Sequence, residues 1–569
     1  MEIQIDKNVE VRMRDGVALA ADVFRPAGEG RYPALLQRIP YNKEPGWLRD
    51  SSVDVLKLVQ SGYVVVHQDT RGAGASEGEY RPFVDDRMDG ADTVAWAAAQ
   101  PWSTGDVGMI GISYTAGTQW LAAMETPPQL KAIAPHSFHH DPYLGWLYQG
   151  GAFLLGFAIR WSVNYFSPAV RDQIKERAGT VDLFSEYVRR LPTSDMPMLQ
   201  EAAPFYFEWL AHPTYDAYWR DWSPSQHFED VAVPALITTG WYDALLAGGY
   251  TTFVQMKKRG ATAAARRPHL NIGPWAHSWW GADFPERGYG ERADKEVFDL
   301  TGRTARWFDH YLKGIDNGVN SDKPVNLFIM GANQWREEDD WPLPDTQFTN
   351  YYLHSGGHAS TAHGDGELSA DPPDDEREDV YLYNPFDPVP TIGGQTLLPP
   401  ARMPANAGPR DQRALDGRPD ILFFTTRPLD HDVEVTGPVQ LKLFISSSAP
   451  DTDFTGKLVD VHPDGRAEIL TDGILRVRYR ESFSEPKLME PGEIYEINVD
   501  LLATGNLFKV GHRIRLEVSS SSFPRWDRNT NTGNNISTDT EADVQVAVNR
   551  VYHDRDHPSH LILPIISRD

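Results

Sequence analysis

The sequence predicts an α/β fold that contains a helical insertion and is followed by a β-sandwich. Over roughly the first 140 residues, short apolar runs alternate with helical patterns, as in a parallel sheet covered by helices on both faces. A helical, aromatic-rich stretch interrupts this alternation, and apolar runs resume near residue 233. Later in the chain, period-two alternation dominates, as in 475–480 and 513–518, and indicates strands with one buried and one solvated face.

These changes of pattern divide the chain of 569 residues into four segments. We expect residues 1–140 and 230–344 to form the two parts of one α/β domain. Residues 141–229 are expected to form a helical cap inserted between these parts, and residues 345–569 a β-sandwich domain. An insertion at the carboxyl end of a parallel sheet would lie over the crevice where such folds bind their ligands.

Composition and charge exclude several functions. The net charge is −26, and so acidic a surface repels nucleic-acid phosphates and anionic membranes, so we expect neither as a partner. The chain has no Cys, which excludes disulfides, Cys-ligated metals and a Cys nucleophile. The opening MEIQIDKNVEVRMRDG lacks the apolar segment of a signal peptide. The apolar stretch 145–161 is too short to span a bilayer, and we expect it to be the start of a buried or pocket-lining helix. We therefore expect a cytoplasmic protein.

The segment 106–117 carries the pattern of a nucleophilic serine. An apolar run ends at Ser113, small residues lie nearby at 111 and 115–117, and a helical pattern follows, as in a nucleophile elbow between a strand and a helix. The strict G-x-S-x-G motif is not met, because Thr115 occupies the second position after the serine. The alternative is a serine that only caps the helix.

A serine nucleophile needs a base, and a histidine base needs a carboxylate that fixes its tautomer. His277 follows the apolar run 269–273, and Asp243 follows the run 235–239. The plainer alternatives are a histidine packed among tryptophans and a turn aspartate. Ser113, Asp243 and His277 nevertheless each follow a predicted strand of one sheet, in the order Ser–Asp–His of the α/β-hydrolase fold, so we predict a catalytic triad.

Acyl transfer also needs donors for the oxyanion of the tetrahedral intermediate. One is expected to be the backbone N–H of Tyr114, directly after the nucleophile. The other is expected to be the hydroxyl of Tyr41, in the loop after an early strand, and an ordinary pocket residue is the alternative there.

Three histidines, His136, His139 and His140, lie close together before the insertion. No spaced carboxylate or histidine partner supports a metal site at this position. We therefore expect neither a metal nor a cofactor.

Six motifs together resemble one family of proteins: RIPYNK (38–43), QDTRGAGASEGEY (68–80), GMIGISY (108–114), GWYDA (240–244), IGPWAHS (272–278) and FPRWDRNTNTG (523–533). Over nearly its whole length the chain resembles the cocaine esterase-like family of bacterial acyl esterases, which is related to X-prolyl dipeptidyl aminopeptidases and α-amino acid ester hydrolases. The resemblance implies an α/β-hydrolase domain with a cap, a C-terminal jelly-roll domain and a homodimer. It also implies the triad and the two oxyanion donors already named.

The same resemblance implies an acyl pocket between the α/β domain and the cap. Trp146 and Trp161 match the family's pocket aromatics, Leu245 lies two residues after the acid, and Leu398 would come from the third domain. Ordinary core packing is the alternative for all four. Leu245 and Pro399 stand where the family carries aromatic residues, so the aromatic surface of the pocket is reduced.

We therefore expect a serine carboxylic ester hydrolase that forms an acyl-enzyme with small-molecule esters of bulky apolar or aromatic acids. The first alternative is an amidase, or a dipeptidyl or aminoacyl hydrolase, on the same triad. Against it, the cap stretch 146–153 contains no Asp or Glu that could hold a substrate ammonium group. The alternative of another class is a non-catalytic carbohydrate-binding protein.

Overall fold

The computed structural model of the chain describes residues 2–44, 52–165, 183–200, 203–277, 279–398 and 406–568. Within these ranges the chain forms two large sheets, and helices surround the first of them. The predicted class, an α/β domain followed by a second strand-rich domain, is confirmed. Of the helices in these ranges, none has the length and apolar character that crossing a membrane requires.

The first sheet is built, in the described residues, from ten strands numbered along the chain. They are β1 (Ile3–Arg12), β2 (Ala18–Pro26), β3 (Tyr32–Ile39), β4 (Val64–Asp69), β5 (Ser103–Ile112), β6 (Leu130–His136), β9 (Leu236–Tyr242), β10 (His269–Ala276), β13 (Val325–Ile329) and β14 (Gln334–Glu338). Their order is β1-β2-β4-β3-β5-β6-β9-β10-β13-β14, and the strands from β4 to β13 are parallel. The carboxyl ends of β3, β5, β9 and β10 therefore lie along one edge of the sheet.

Helices cover both faces of this sheet. The α-helices are α1 (Val55–Gln60), α2 (Asp86–Ala98), α3 (Tyr114–Met124), α4 (Leu155–Tyr165), α5 (Leu183–Val188), α6 (Pro204–Ala211), α7 (Ala217–Arg220), α8 (Leu246–Arg259) and α9 (Leu300–Lys313). Neighbouring residues of β3 point to opposite faces: Leu35 packs in a cluster with Phe308 of α9, and Leu36 in a cluster with Leu121 of α3. Because such strands are buried on both faces, their sequences are continuous apolar runs.

The insertion between β6 and β9 contains helices α4 to α7 and a short hairpin, β7 (Tyr148–Gln149) with β8 (Ala152–Phe153). The stretch 145–161 was expected to begin a helix, and this is wrong for its first ten residues. Gly150 and Gly151 have φ of 54° and 80°, a left-handed turn that glycine adopts at little cost. A Cβ on Gly150 would lie 1.8 Å from the Ile474 carbonyl oxygen, so the hairpin packs directly on the second sheet.

The second sheet follows the first along the chain. Its strands in the described residues are β15 (Gln347–His354), β16 (Glu367–Ser369), β17 (Asp379–Tyr383), β18 (Leu422–Thr425), β19 (Val433–Ser447), β20 (Asp453–Val461), β21 (Ala467–Arg476), β22 (Tyr495–Phe508), β23 (Arg513–Ser519), β24 (Ala547–Tyr552) and β25 (His560–Ile566). A small hairpin, β11 (Asp283–Phe284) with β12 (Arg287–Gly288), precedes them. Strands β20, β21 and β23 are adjacent in this sheet.

The prediction of a solvated face is wrong within 475–480 and 513–518, because Arg476, Arg515 and Glu517 are buried. Strand β21 ends at Arg476, and Val477–Tyr479 form a 3₁₀ turn. Arg476 is 5% exposed and pairs with Asp453 at 2.9 Å and Asp527 at 2.8 Å. Buried charges of this kind persist only when they are paired and hydrogen-bonded, and the local sequence pattern does not show the partner.

Candidate active site

Ser113 lies at a sharp turn between β5 and α3. Its φ of 59° and ψ of −125° place it in a region that non-glycine residues rarely adopt and that is stabilised only by the surrounding structure. Gly111, two residues earlier, has φ of 134°, and a Cβ there would lie 2.2 Å from Thr115 Oγ1. A Cβ on Gly117 would lie 2.4 Å from Phe138 Cε2. The elbow therefore needs glycine at 111 and 117, while Thr115 fits at the position where the strict motif requires glycine.

The three residues of the predicted triad are brought into hydrogen-bond contact. His277 Nε2 lies 2.9 Å from Ser113 Oγ, and His277 Nδ1 lies 2.9 Å from Asp243 Oδ1. A carboxylate can only accept, so the proton on Nδ1 is the one shared with Asp243, and Nε2 is left to accept from the serine hydroxyl. Asp243 is 1% exposed and His277 is 8% exposed, so water screens this chain of contacts weakly.

Backbone contacts hold the acid and the base at the sheet edge. Asp243 follows β9, and its Oδ1 also accepts the N–H of Leu245 at 2.8 Å. His277 follows β10, where Ala276 and Trp279 exchange two backbone hydrogen bonds that close a tight turn around it. Trp280 Nε1 donates to the His277 carbonyl oxygen at 3.3 Å. These bonds orient both side chains before any substrate binds.

Of the two predicted oxyanion donors, Tyr114 directly follows Ser113 and Tyr41 contacts Tyr114. Tyr114 is the first residue of α3, so its N–H has no carbonyl partner within the helix. Tyr41 follows β3, and its ring contacts the Tyr114 ring edge-on at 6.1 Å. The Tyr114 phenol is buried beside the negative charge of Asp86, which raises its pKa well above the usual value and keeps it protonated.

Sequence reasoning missed a buried set of charges beneath these donors. Arg38 is fully buried and donates from Nη1 to Asp86 Oδ1 at 2.8 Å. Lys43, in the same loop as Tyr41, donates from Nζ to Asp69 Oδ2 at 3.0 Å. Their only sequence signal was the presence of charged residues in and next to apolar strands.

Three of the four predicted pocket residues, Trp146, Leu245 and Leu398, line one small pocket. Leu154, Phe157 and Arg525 also line it. Its volume is about 20 Å³, roughly the space of one water molecule. Trp161 packs edge-on against Trp146, with ring centroids 5.4 Å apart, and stacks on Tyr114 at 6.4 Å. Pro399 lies outside the described residues.

His139 packs against Trp146, one of the pocket residues. Its ring stacks on Trp146 with centroids 5.2 Å apart, and lies tilted by 39° against the Phe138 ring at 3.8 Å. Burial lowers the pKa of His139 well below its usual value, so the imidazole is neutral and packs against Trp146 as an aromatic ring.

The three clustered histidines do not form a set of potential metal ligands. In the part of the chain that the structure describes, one such set occurs, Asp460, His462 and His512 in the second sheet domain. His512 Nδ1 pairs with Asp460 Oδ1 at 2.8 Å, and Arg466 Nη2 lies 3.1 Å from His462 Nδ1. Because a guanidinium only donates, His462 uses this nitrogen as an acceptor, and we interpret the set as an ion-pair network.

Two family models match the chain. The X-Pro dipeptidyl-peptidase (S15 family) model matches residues 15–279, and the X-Pro dipeptidyl-peptidase C-terminal non-catalytic domain model matches residues 317–562. The cocaine esterase of Rhodococcus sp. (strain MB1 Bresler) is 43% identical over 99% of both chains.

Solved structures of related hydrolases superimpose on nearly the whole chain. An aminopeptidase from the marine sediment archaeon Thaumarchaeota archaeon superimposes with a TM-score of 0.86 at 27% identity, over 100% of this chain and 97% of that one. An α-amino acid ester hydrolase superimposes with a TM-score of 0.82 at 27% identity, over 99% and 97% of the two chains.

Fold and matches together define a serine hydrolase of the α/β class. Within that class, the chain belongs to the cocaine esterase-like family of bacterial acyl esterases, and it is a serine ester hydrolase. The alternative of a non-catalytic carbohydrate-binding protein is thereby removed.

Proposed function

We propose that the chain hydrolyses carboxylic esters through an acyl-enzyme formed on Ser113, with His277 as general base and acid and Asp243 as its orienting carboxylate. The observation that carries the proposal is the pair of 2.9 Å contacts that His277 makes, from Nε2 to the serine and from Nδ1 to the aspartate. Nucleophile and base must lie within hydrogen-bond reach, and these two do.

In the first half-reaction, Ser113 Oγ attacks the ester carbonyl carbon and its proton passes to His277 Nε2. The C–O bond to the alcohol then breaks, and His277 returns the proton to the departing alkoxide. In the second half-reaction, water attacks the acyl-enzyme and His277 Nε2 accepts its proton. The bond between Ser113 Oγ and the acyl carbon then breaks, His277 returns the proton to Ser113 Oγ, and the acid is released. Asp243 stabilises the imidazolium that forms in each half-reaction.

The oxyanion of both tetrahedral intermediates is proposed to accept from the Tyr114 N–H and the Tyr41 hydroxyl. One donor is backbone and the other a phenol held against buried aromatic rings, so neither reorganises as charge develops. Such preorganised donors contribute on the order of 3–4 kcal/mol each to lowering the barrier.

The acyl group is proposed to enter the pocket lined by Trp146, Leu245 and Leu398. These walls are apolar and suit a bulky apolar or aromatic acid of the type that a cocaine esterase-like enzyme accepts. Because the pocket holds about 20 Å³, its lining must move apart when such a group binds.

Two matches support an aminopeptidase-like or dipeptidyl activity on the same site: the X-Pro dipeptidyl-peptidase family model and the archaeal aminopeptidase structure. The charge of the described pocket lining favours an ester without a free amino group. Arg525 is the one charged side chain among the described lining residues and is paired with Asp472, and no Asp or Glu lines the pocket to hold an ammonium group.

The domain division is proposed as 1–140 with 230–344 for the α/β-hydrolase domain, 141–229 for the cap and 345–569 for a jelly-roll domain. All three contribute to the pocket, through Leu245, Trp146 and Leu398 respectively.

The enzyme is further proposed to act in the cytoplasm as a homodimer. Light scattering after size exclusion would then give twice the chain mass of 64.0 kDa, and a single chain mass would contradict the dimer.

The activity is tested with a matched pair of aryl substrates, an ester and an anilide of the same benzoic acid, on wild type and Ser113→Ala. We expect turnover of the ester, much slower turnover of the anilide, and loss of both in the variant with an unchanged melting temperature. Wild-type ester turnover in folded Ser113→Ala would contradict the mechanism. Faster hydrolysis of the anilide than of the ester would favour the amidase alternative.

A further inference from the structure

We propose that Asp86 is a positioning residue that holds both oxyanion donors in place, one with each of its carboxylate oxygens. The proposal rests on the function proposed for Tyr41 and Tyr114. Asp86 lies in the first turn of α2, is 4% exposed, and does not itself reach the reacting atoms through any described contact.

One carboxylate oxygen fixes Tyr114. The Tyr114 hydroxyl donates to Asp86 Oδ2 at 2.6 Å and accepts the Phe83 N–H at 2.8 Å. The Tyr114 ring also stacks on the Phe83 ring, with centroids 3.9 Å apart and planes 16° apart. Tyr114 is therefore held at its backbone by the elbow and at its far end by Asp86, so its N–H cannot tilt unless these bonds break.

The other carboxylate oxygen fixes the strand that leads to Tyr41. Asp86 Oδ1 accepts from Arg38 Nη1 at 2.8 Å, and the Asp86 carbonyl oxygen accepts from the same nitrogen at 3.0 Å. Arg38 Nε donates to Gln68 Oε1 at 2.8 Å. Arg38 lies three residues before Tyr41, at the end of β3, so these bonds fix the point from which the Tyr41 loop departs.

The backbone conformation of Phe83 indicates that Asp86 positions Tyr114 and does more than compensate the charge of Arg38. Phe83 has φ of 63°, a left-handed conformation that is strained for a bulky residue. Phe83 is 2% exposed, and the N–H that this conformation directs goes to the Tyr114 hydroxyl. Compensating the Arg38 charge alone would not require this second anchor on Tyr114.

Two variants test the proposal from opposite ends of the Asp86–Tyr114 bond. Tyr114→Phe removes the hydroxyl but keeps the backbone N–H and the Asp86–Arg38 pair. Asp86→Asn keeps the shape of the side chain but weakens both bonds. We expect each to lower kcat at least tenfold with KM changed less than twofold, and the double variant to lose little more than either single one, because both break one unit.

The matched control is Asp92→Asn, on the same helix. Asp92 also pairs with an arginine, Arg14, at 2.7 Å, but this pair has no contact with either donor. We expect wild-type kcat in Asp92→Asn.

A readout specific to the oxyanion comes from an arylboronic acid, which forms a tetrahedral adduct on the serine and places an oxygen in the oxyanion hole. Its inhibition constant is expected to rise about as much as kcat falls in Tyr114→Phe and Asp86→Asn, and to stay unchanged in Asp92→Asn. Wild-type kcat and boronic acid affinity in folded Tyr114→Phe would overturn the proposal, even if Asp86→Asn fails to fold. Equal loss in the control would overturn it as well. Failure of the boronic acid to inhibit wild type would instead count against the proposed function.

Discussion

Trp161 donates its indole N–H to the hydroxyl oxygen of Tyr41 across 3.0 Å. An indole N–H can only donate, so the Tyr41 oxygen is the acceptor in this bond and its hydrogen is directed elsewhere. The bond connects α4 of the insertion to the loop after β3. A residue proposed for the acyl pocket and one proposed for the oxyanion hole therefore form a single hydrogen-bonded unit, which joins the insertion to the loop after β3.

Removing the Tyr41 hydroxyl tests this unit. Tyr41→Phe is expected to lower kcat about 10²-fold or more, since one oxyanion donor is lost. Trp161→Phe keeps the Tyr41 hydroxyl but removes the hydrogen bond that orients it, so a smaller loss of kcat, about tenfold, is expected. Steady-state kinetics on an aryl ester measures both. Unchanged turnover in Tyr41→Phe would remove this residue from the oxyanion hole.

The carboxylate beside the base is tested by Asp243→Asn. An amide can donate to His277 Nδ1 and so stabilise the tautomer whose Nε2 cannot accept the serine proton. We expect kcat to fall about 10⁴-fold, the effect of the same change in triads of other folds. Asp216→Asn is the matched control, because Asp216 contacts His212 Nδ1 at 2.6 Å in the insertion. If the two variants lose the same activity, Asp243 has no special role.

The close packing of the elbow predicts that Gly111→Ala is damaging. Its Cβ would lie 2.2 Å from Thr115 Oγ1 in addition to the strain of a positive φ. Gly105→Ala on the same strand is the control, since Gly105 has φ of 100° but nothing within 4 Å of the added Cβ. We expect Gly111→Ala to lose on the order of 1–3 kcal/mol more than the control, together with most of the activity. Equal denaturation midpoints would show that the elbow tolerates a side chain.

A buried histidine beside the nucleophile predicts a pH dependence of stability. The His136 carbonyl oxygen accepts the Ser113 N–H at 2.9 Å, and burial lowers the pKa of the His136 ring to about 3. The unfolded chain takes up this proton below about pH 6.5 and the folded chain does not, so the stability is present above pH 6.5 and is lost as pH falls towards 3.

This single group accounts for a slope of up to about 1.4 kcal/mol per pH unit below pH 6.5. Denaturation midpoints between pH 7.5 and 4.5 should therefore fall less steeply in His136→Phe than in wild type. His431→Gln, at an exposed histidine, should keep the wild-type slope. A wild-type slope in His136→Phe would contradict the assignment.

The contact between Ser113, His277 and Asp243 could be predicted from sequence because its signals are local. Each residue follows a continuous apolar run, and in a parallel sheet the ends of such runs meet at one edge. Residue type and chain order then sufficed to bring Ser113, Asp243 and His277 together.

The supporting contacts could not be predicted, because they join distant parts of the chain. Arg38 and Asp86 are 48 residues apart, and Trp161 and Tyr41 are 120 apart. The spacing of apolar residues along the sequence does not indicate which distant residues pair. The same limit explains the error at Arg476, where alternation indicated a solvated face and a buried carboxylate supplied the partner instead.

Fluorophosphonate labelling tests most directly whether Ser113 is the nucleophile. Intact mass and peptide mapping are followed while ester hydrolysis is measured on the same sample. We predict one phosphonyl group per chain, on the peptide that contains Ser113, with activity lost in proportion to labelling and no labelling of Ser113→Ala. Labelling at another residue, or full ester hydrolysis after complete labelling of Ser113, would contradict the account.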